Sequence, residues 1–348
     1  MTKNGSKPLI YDLTLDELKD LLNAWGEKKF RAAQIWQGLY QQFWQSPDEF
    51  TTLSKSLKAK LAKELRFSNL EPVRELSSKD GNTTKTLFRL PDGPAIEVVL
   101  MRYDQRRTLC ISTQVGCAMN CSFCATGQMG FTRHLTSGEI VEQVIFYARM
   151  LAAQDEKVTN VVIMGMGEPF HNYEATIKAI DILNDHDGFN FGERRFTIST
   201  VGLAPMIEKF AAQKRQVNLA ISLHATNDNL RSSMMPINQK HPINELIQAC
   251  RHYVSQTHRR ITFEWALIEG VNDSVQEAHA LAHLLRGLLC HVNIIPLNPT
   301  KNFEGLGSSK KQAVRFQEEL EKNGIPCTIR LRRGIEIAAG CGQLASAD

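Results

Sequence analysis

The run Thr108-Leu109-Cys110-Ile111-Ser112-Thr113-Gln114-Val115-Gly116-Cys117-Ala118-Met119-Asn120-Cys121-Ser122-Phe123-Cys124 decides how this chain is read. Residues 108–113 have the apolar character of a strand, which gives way to a loop carrying three thiols. Further strand-like runs follow at 159–164, 195–200, 217–223, 260–268 and 291–297, with a last one at 326–331. Helical periods fill the gaps at 136–153, 172–184, 204–214, 242–256, 274–289 and 309–323, the first opened by the capping box Thr136-x-x-Glu139. Regular alternation of this kind predicts parallel strands joined by crossover helices. The units are fewer than a closed eight-unit barrel requires. The expected architecture is therefore α/β, an open, partial (βα)6 barrel over residues 108–335, with a doubly wound sheet as the alternative.

Upstream of that run the pattern changes. Thr14-x-x-Glu17 is a second capping box, followed by Leu15, Leu18, Leu21, Leu22 and Trp25 at helical spacing. A second helix is expected at about 31–46, with Ile35, Trp36, Leu39, Tyr40, Phe43 and Trp44 on its apolar side. A third, at about 54–66, sets Leu57, Leu61 and Leu65 against a face of Lys55, Lys58, Lys60 and Lys63. Pro91-Asp92-Gly93-Pro94 between Thr86–Leu90 and Ala95–Met101 signals a β-hairpin. These features delimit a helical accessory domain over 1–85, a hairpin and linker over 86–107, and a terminal loop over 336–348.

Composition narrows the class. The 348 residues are 43% hydrophobic and 22% charged, which excludes wholesale disorder, collagen-like repeats and a coiled-coil rod. Met1–Pro8 holds no apolar stretch of signal-peptide length, and no run approaches the ~18 apolar residues of a membrane span. A soluble, cytoplasmic protein without a membrane partner is expected. Forty-one Lys+Arg against 37 Asp+Glu give a net charge of +4, too weak a bias to require or exclude a nucleic acid. Eight cysteines, three of them crowded together, do not make a disulfide scaffold.

The polar and glycine-rich motifs fall where strands end, the rim on which α/β barrels carry their chemistry. They are the Cys117–Cys124 loop, Gly165-Met166-Gly167-Glu168-Pro169, Ser199-Thr200, Ser222-Leu223-His224 and Asn298-Pro299. Thiolates from Cys117, Cys121 and Cys124 suit an iron–sulfur cluster or zinc. Zinc normally recruits a fourth ligand, and none is obvious. Three cysteines on a four-iron cluster leave one iron open, able to bind the amino and carboxylate groups of S-adenosylmethionine and pass it an electron. Taken alone, Cys110 reads as packing, Glu97 as a surface residue of a strand, Glu168 as a helix N-terminal charge and His224 as a strand-end histidine. Cys341, flanked by Gly340 and Gly342, reads as an exposed thiol, reactive or not.

The loop resembles the radical S-adenosylmethionine superfamily, whose CxxxCxx-aromatic-C pattern is met by Cys117, Cys121, Phe123 and Cys124. More narrowly, Gln114-Val115-Gly116-Cys117, Phe123-Cys124-Ala125-Thr126-Gly127, Met164–Pro169, Met235-Pro236-Ile237-Asn238 and Gly340-Cys341-Gly342-Gln343-Leu344 resemble the RlmN/Cfr family of radical RNA adenine methyltransferases. The likeness begins at Gly26-Glu27-x-x-Phe30-Arg31 and covers essentially the whole chain. It implies one [4Fe-4S] cluster held by Cys117, Cys121 and Cys124. It implies S-adenosylmethionine contacts at Gly167, Glu168, Ser199, Ser222, Leu223, His224 and Asn298. Cys341 is then the methyl-carrying cysteine, Cys110 its disulfide partner and Glu97 the proton acceptor. Cys250, Cys290 and Cys327 match no motif.

Adenine C2 is electron-poor and no nucleophile, so its methylation needs a radical route. The resemblance implies that one S-adenosylmethionine methylates Cys341 and a second, cleaved reductively, yields a radical that takes hydrogen from the S-methyl group. The carbon radical adds to adenine, Glu97 removes the C2 proton, and Cys110 attacks the Cys341 sulfur to free the methylated base. The implied partners are 23S rRNA before complete ribosome assembly, tRNA at the adenosine 3′ of the anticodon, and an electron donor such as flavodoxin or ferredoxin. The lysine face of the third helix and Arg330, Arg332 and Arg333 are the expected RNA contacts. Methylation at C8, a radical enzyme acting on a non-RNA substrate, and a zinc-stabilised RNA-binding protein are the alternatives.

Overall fold

The computed structural model describes residues 7–330 and 332–345. The reading of Met1–Ser6 as free of a signal stretch therefore falls outside the described residues. Seven parallel strands form the catalytic half: β4 (Arg107–Cys110), β7 (Asn160–Ile163), β8 (Phe196–Thr200), β9 (Asn218–Ser222), β10 (Ile261–Leu267), β11 (Cys290–Pro296) and β12 (Cys327–Ile329). They lie side by side in chain order. A doubly wound sheet reverses its order at a switch point, so that alternative is excluded. The connecting helices are α5 (Ser137–Ala152), α6 (Tyr173–Asn184), α7 (Ala204–Ala212), α9 (Ile243–Thr257), α10 (Val275–Leu285) and α11 (Lys310–Lys322), with the short α4 (Ala125–Gln128) and α8 (Asp228–Met234) in the loops. Thr136 caps α5 as its sequence predicts, accepting a hydrogen bond from the Glu139 amide (3.2 Å).

The hairpin is larger than expected and belongs to the same sheet. The strands β1 (Glu71–Ser77), β2 (Thr83–Arg89) and β3 (Ala95–Arg102) run antiparallel, and β3 pairs with β4, giving ten continuous strands. A separate ribbon, β5 (Gln114–Gly116) with β6 (Phe131–His134), frames the cysteine loop. Inward-facing residues from both ends of the parallel set, Cys110 of β4 and Ile295 of β11, border one space with Arg330, just beyond β12. The sheet thus curls into a barrel that does not close. The seam is covered by the C-terminal segment, where Arg333 donates to the Arg102 carbonyl (3.2 Å) and stacks on Tyr103 (4.4 Å).

The N-terminal helices are α1 (Leu15–Ala24), α2 (Phe30–Tyr40) and α3 (Lys55–Glu64). Helix α2 stops short of the expected residue 46. Phe43 takes a left-handed conformation (φ 57°), and the Trp44 amide turns back to the Gly38 carbonyl (2.9 Å). Trp44 then lies where a side chain at 38 would be, so aromatic spacing mimics a further helical turn. The last strand also ends early, at Ile329, leaving Arg332 and Arg333 in irregular backbone. One apolar core runs from Ile10 and Trp36 through the barrel to Phe316; Cys250, Cys290 and Cys327 are buried in it. A smaller cluster, including Cys117, Cys121, Met235 and Ala266, sits at the strand C-terminal ends.

Candidate active site

Residues from five strand ends and from the C-terminal loop line one cavity. Cys121, Phe123, Cys124, Gly167, Glu168, Ser199, Ser222, His224, Asn298 and Cys341 all border it. The cysteine loop is fixed by main-chain bonds: the Cys117 amide donates to the Gly130 carbonyl (2.8 Å) and the Ser122 amide to the Met234 carbonyl (2.9 Å). Gly116 (φ 71°) makes the tight turn before it, and a Cβ there would lie 1.9 Å from the Gly130 oxygen. Only glycine fits that approach. Burial pushes the Cys117 thiol up to about 12 and the Cys121 thiol well above its ordinary range, with Cys124 adding charge repulsion to both.

Two buried thiols and the half-buried Cys124, which repel one another as thiolates, are a site prepared for positive charge, because metal binding removes their protons. Among the described residues no set of His, Cys, Asp and Glu side chains converges tightly enough to chelate a single metal ion. A cubane cluster binds each thiolate through a different iron, so its ligands stand further apart. Three cysteine thiols on one loop, two of them bordering the cavity, fit the cluster.

Glu168 is 2% exposed, and main-chain amides hold its carboxylate. Its amide donates to Gln114 Oε1 (2.8 Å), its Oε1 accepts from the Phe170 amide (2.9 Å) and its Oε2 from the Val201 amide (2.9 Å). Burial raises its pKa to about 7 despite these donors. Gly167 before it has φ 104°, and a Cβ there would meet Gln114 at 2.6 Å, so the loop reaches the cavity only through glycine. His224 accepts from the Ala266 amide at Nδ1 (2.9 Å), and burial pulls its pKa down to about 3. It is a neutral, oriented imidazole, edge-on to Phe123 at 5.1 Å. Asn298 donates to the Cys341 carbonyl (3.1 Å), while its buried Oδ1 has no partner. An orphaned buried acceptor implies a donor to come, as a bound cofactor would supply.

The expected site residues do not all face this space. Leu223 is fully buried, and neither it, Cys117, Cys110 nor Glu97 borders the cofactor-sized cavity. Cys110 opens on an adjoining cavity with Tyr103, Arg330, Arg332, Arg333 and Cys341. Burial pushes its thiol up to about 12, and Cys341 adds to that rise. Cys341 borders both cavities and is exposed. Glu97 is buried beside the loop rather than in either cavity: its Oε1 pairs with Lys85 Nζ (2.7 Å) and its Oε2 accepts from the Ala345 amide (2.9 Å). Lys85 also donates to the Ala338 carbonyl (3.1 Å).

Two buried cations escape sequence reasoning. Lys85 is one. Arg231, with no exposed surface, donates to the carbonyls of Leu223 (3.1 Å), Ser222 (3.0 Å) and Val201 (2.6 Å), and to Asn238 Oδ1 (2.9 Å). It ties together the loops after β8 and β9. The only sequence signal was indirect, Asn238 within the Met235–Asn238 motif.

A cysteine-loop cluster site, a glycine–glutamate loop and serine and histidine strand ends on an open α/β barrel define a radical S-adenosylmethionine enzyme. Residues 111–282 match the family model of the radical SAM superfamily, and residues 10–66 that of the ribosomal RNA large subunit methyltransferase N-terminal domain. The chain belongs to the RlmN family of radical S-adenosylmethionine methyltransferases, and it uses a [4Fe-4S] cluster and S-adenosylmethionine. It is 49% identical to dual-specificity RNA methyltransferase RlmN 1 of Myxococcus xanthus, over 96% of this chain and 93% of that one. It is 46% identical to a probable dual-specificity RNA methyltransferase RlmN of Geobacillus kaustophilus, over 98% and 93%. The crystal structure of a radical SAM methyltransferase from Sphaerobacter thermophilus matches with a TM-score of 0.96 at 53% identity, covering 98% of this chain and all of that one. No helix among the described residues is long and apolar enough to cross a membrane.

Proposed function

We propose that this enzyme methylates C2 of an adenosine at the peptidyl-transferase centre of 23S rRNA, before the ribosome is complete. The adenosine 3′ of the anticodon in some tRNAs is its second substrate, both in the cytoplasm. The single observation that carries the reading is the position of Cys341, bordering the cofactor cavity on one side and the Cys110 cavity on the other. A sulfur that takes a methyl group from a sulfonium donor and hands it to a base needs that double access.

The bound cluster and S-adenosylmethionine, with an electron from flavodoxin or ferredoxin, supply the one-electron chemistry. The chain's own residues do the rest. Glu168, Ser199, Ser222, His224 and Asn298 orient the donor; Cys341 carries the methyl. Cys110 attacks the Cys341 sulfur, forming an S–S bond as the bond from sulfur to the base's new carbon breaks; that carbon keeps the electron pair and takes a proton to become the methyl group, and an external thiol reduces the disulfide before the next turnover. Its raised pKa makes the resting group a thiol, so attack requires loss of a proton, which Arg330 favours. Glu97 is the C2 proton acceptor in this scheme, and to serve it must first release Ala345.

Nucleoside mass spectrometry of rRNA and tRNA from cells with and without the protein tests the substrates: 2-methyladenosine should vanish from both, and 8-methyladenosine would assign the other regiochemistry. Cys110→Ala tests the route. It should leave RNA bound to protein through Cys341, stable to denaturing electrophoresis and removed by nuclease. An active-cluster preparation without that adduct would remove the two-cysteine scheme.

A further inference from the structure

Glu264 has no part in the chemistry above, yet it stands at its centre. It lies on β10 in register with Ser222 of β9 and Asn293 of β11, and is 5% exposed. It borders the cofactor cavity and also a wide polar cavity at the opposite mouth of the barrel. Arg330, which borders that second cavity and the Cys110–Cys341 cavity as well, approaches Glu264 Oε2 only to 3.9 Å. Asn293 donates to Oε1 (2.9 Å), while Oε2 is buried and accepts no hydrogen bond. A carboxylate oxygen without a donor, set between two cavities, is an unfilled acceptor.

We propose that Glu264 reads the exocyclic amine of the target base, its Oε2 accepting an N–H from the adenine 6-amino group while Arg330 holds the carboxylate. This rests on the adenosine reading above and names the group that selects adenine there. The chemistry discriminates. Cys341 borders the cofactor cavity together with Glu264 and the Cys110 cavity together with Arg330, so a base brought to its sulfur comes to spaces that these two residues border, and Oε2 offers only lone pairs. Adenine presents a donor at its C6 edge; guanine and hypoxanthine present a carbonyl oxygen, which a carboxylate repels. A site built around a substrate N–H rejects analogues lacking it because its own buried group is left unpaired.

The test uses full-length, cluster-loaded enzyme and RNA stem-loops carrying adenosine, purine riboside or inosine at the target position. All three bases keep a C2 hydrogen. Purine riboside lacks only the amine, and its ring is no less electron-poor, so slower transfer reports recognition. Wild-type enzyme should prefer adenosine to purine riboside by at least about tenfold in kcat/KM. Glu264→Ala should reduce that preference to about threefold or less, and Glu264→Gln, whose amide can donate, should raise the relative use of inosine. Where turnover is too slow, the Kd of the same stem-loops gives the comparison. An adenosine preference that survives in Glu264→Ala overturns the proposal. So does a drop in Cys341 S-methylation, measured by mass spectrometry in the same samples, that accounts for the lost transfer, since it assigns Glu264 to the methyl donor. Wild-type enzyme that loads Cys341 but methylates no RNA overturns the adenosine reading itself, and this proposal with it.

Discussion

The cysteine loop and the Cys341 loop face one another across a cavity and are held in opposite ways. Residues 117–124 are anchored by their own main chain to Gly130 and Met234, with Cys117 and Cys121 buried. The Cys341 loop has one such bond, from the Ala125 amide to the Gly342 carbonyl (2.7 Å), and is otherwise gripped by side chains reaching in from elsewhere. Lys85 takes the Ala338 carbonyl, Asn298 that of Cys341, Thr126 that of Leu344 (2.6 Å), and Glu97 the Ala345 amide. Cys341 itself is exposed. A main-chain anchor gives only if the fold gives, whereas a side-chain grip can open by rotamer changes. Cluster ligands must stay in place through every turnover. On the proposed scheme Cys341 has to meet a donor, a base and a second thiol in succession.

The widest break in this contrast comes from the thiols. Cys117→Ala should lose iron, sulfide and all methyl transfer, while Cys341→Ala should keep iron and sulfide and lose only transfer; elemental analysis with an activity assay separates them. Cluster retention in Cys117→Ala would contradict the ligand assignment.

Lys85→Ala comes next. Its partner Glu97 is then left as an uncompensated buried carboxylate, costing about 3–5 kcal/mol in denaturant unfolding. Iron content should be unchanged, and Lys85→Met with Glu97→Gln should recover most of the loss. Additive losses in that double variant would mean that the pair does not act as a unit.

Glu168 sharpens the rigid side. With its pKa at about 7, the carboxylate is mostly protonated at pH 6 and mostly ionised at pH 8. The ionised form is the better acceptor for the N–H of S-adenosylmethionine, so affinity should rise roughly tenfold over that interval. Calorimetry of the cluster-loaded protein measures it, and a profile that falls with pH would have the wrong sign. The smallest effect is expected at Gly342 (φ 79°), where a Cβ would touch nothing closer than 3.6 Å. Gly342→Ala then adds only backbone strain, about 1–2 kcal/mol, visible as a few-fold slower methyl transfer at constant iron content.

Much of the barrel was legible because its strands are apolar and its helices amphipathic, each to within a few residues of the observed limits. Less legible was β1, whose Glu71, Arg74 and Glu75 give an exposed edge strand without the alternation that a buried face imposes. Trp44 misled for the converse reason, an apolar residue at helical spacing that packs after the helix has ended. The cysteine loop stood out through its spacing and the aromatic Phe123 within it. Lys85, Arg231 and Glu264 could not, since a charged residue is recognisable as buried only through its partners, and those lie far away in sequence.

The open seam of the barrel has a topological consequence. A closed barrel has a hole at its mouth, through which a free metabolite can enter whole. A nucleotide within a polymer has two tails, and no hole admits its base unless both stay outside. On the proposed reading, the unclosed side of the barrel, covered by a segment held by side chains, can take such a base sideways and let it leave the same way.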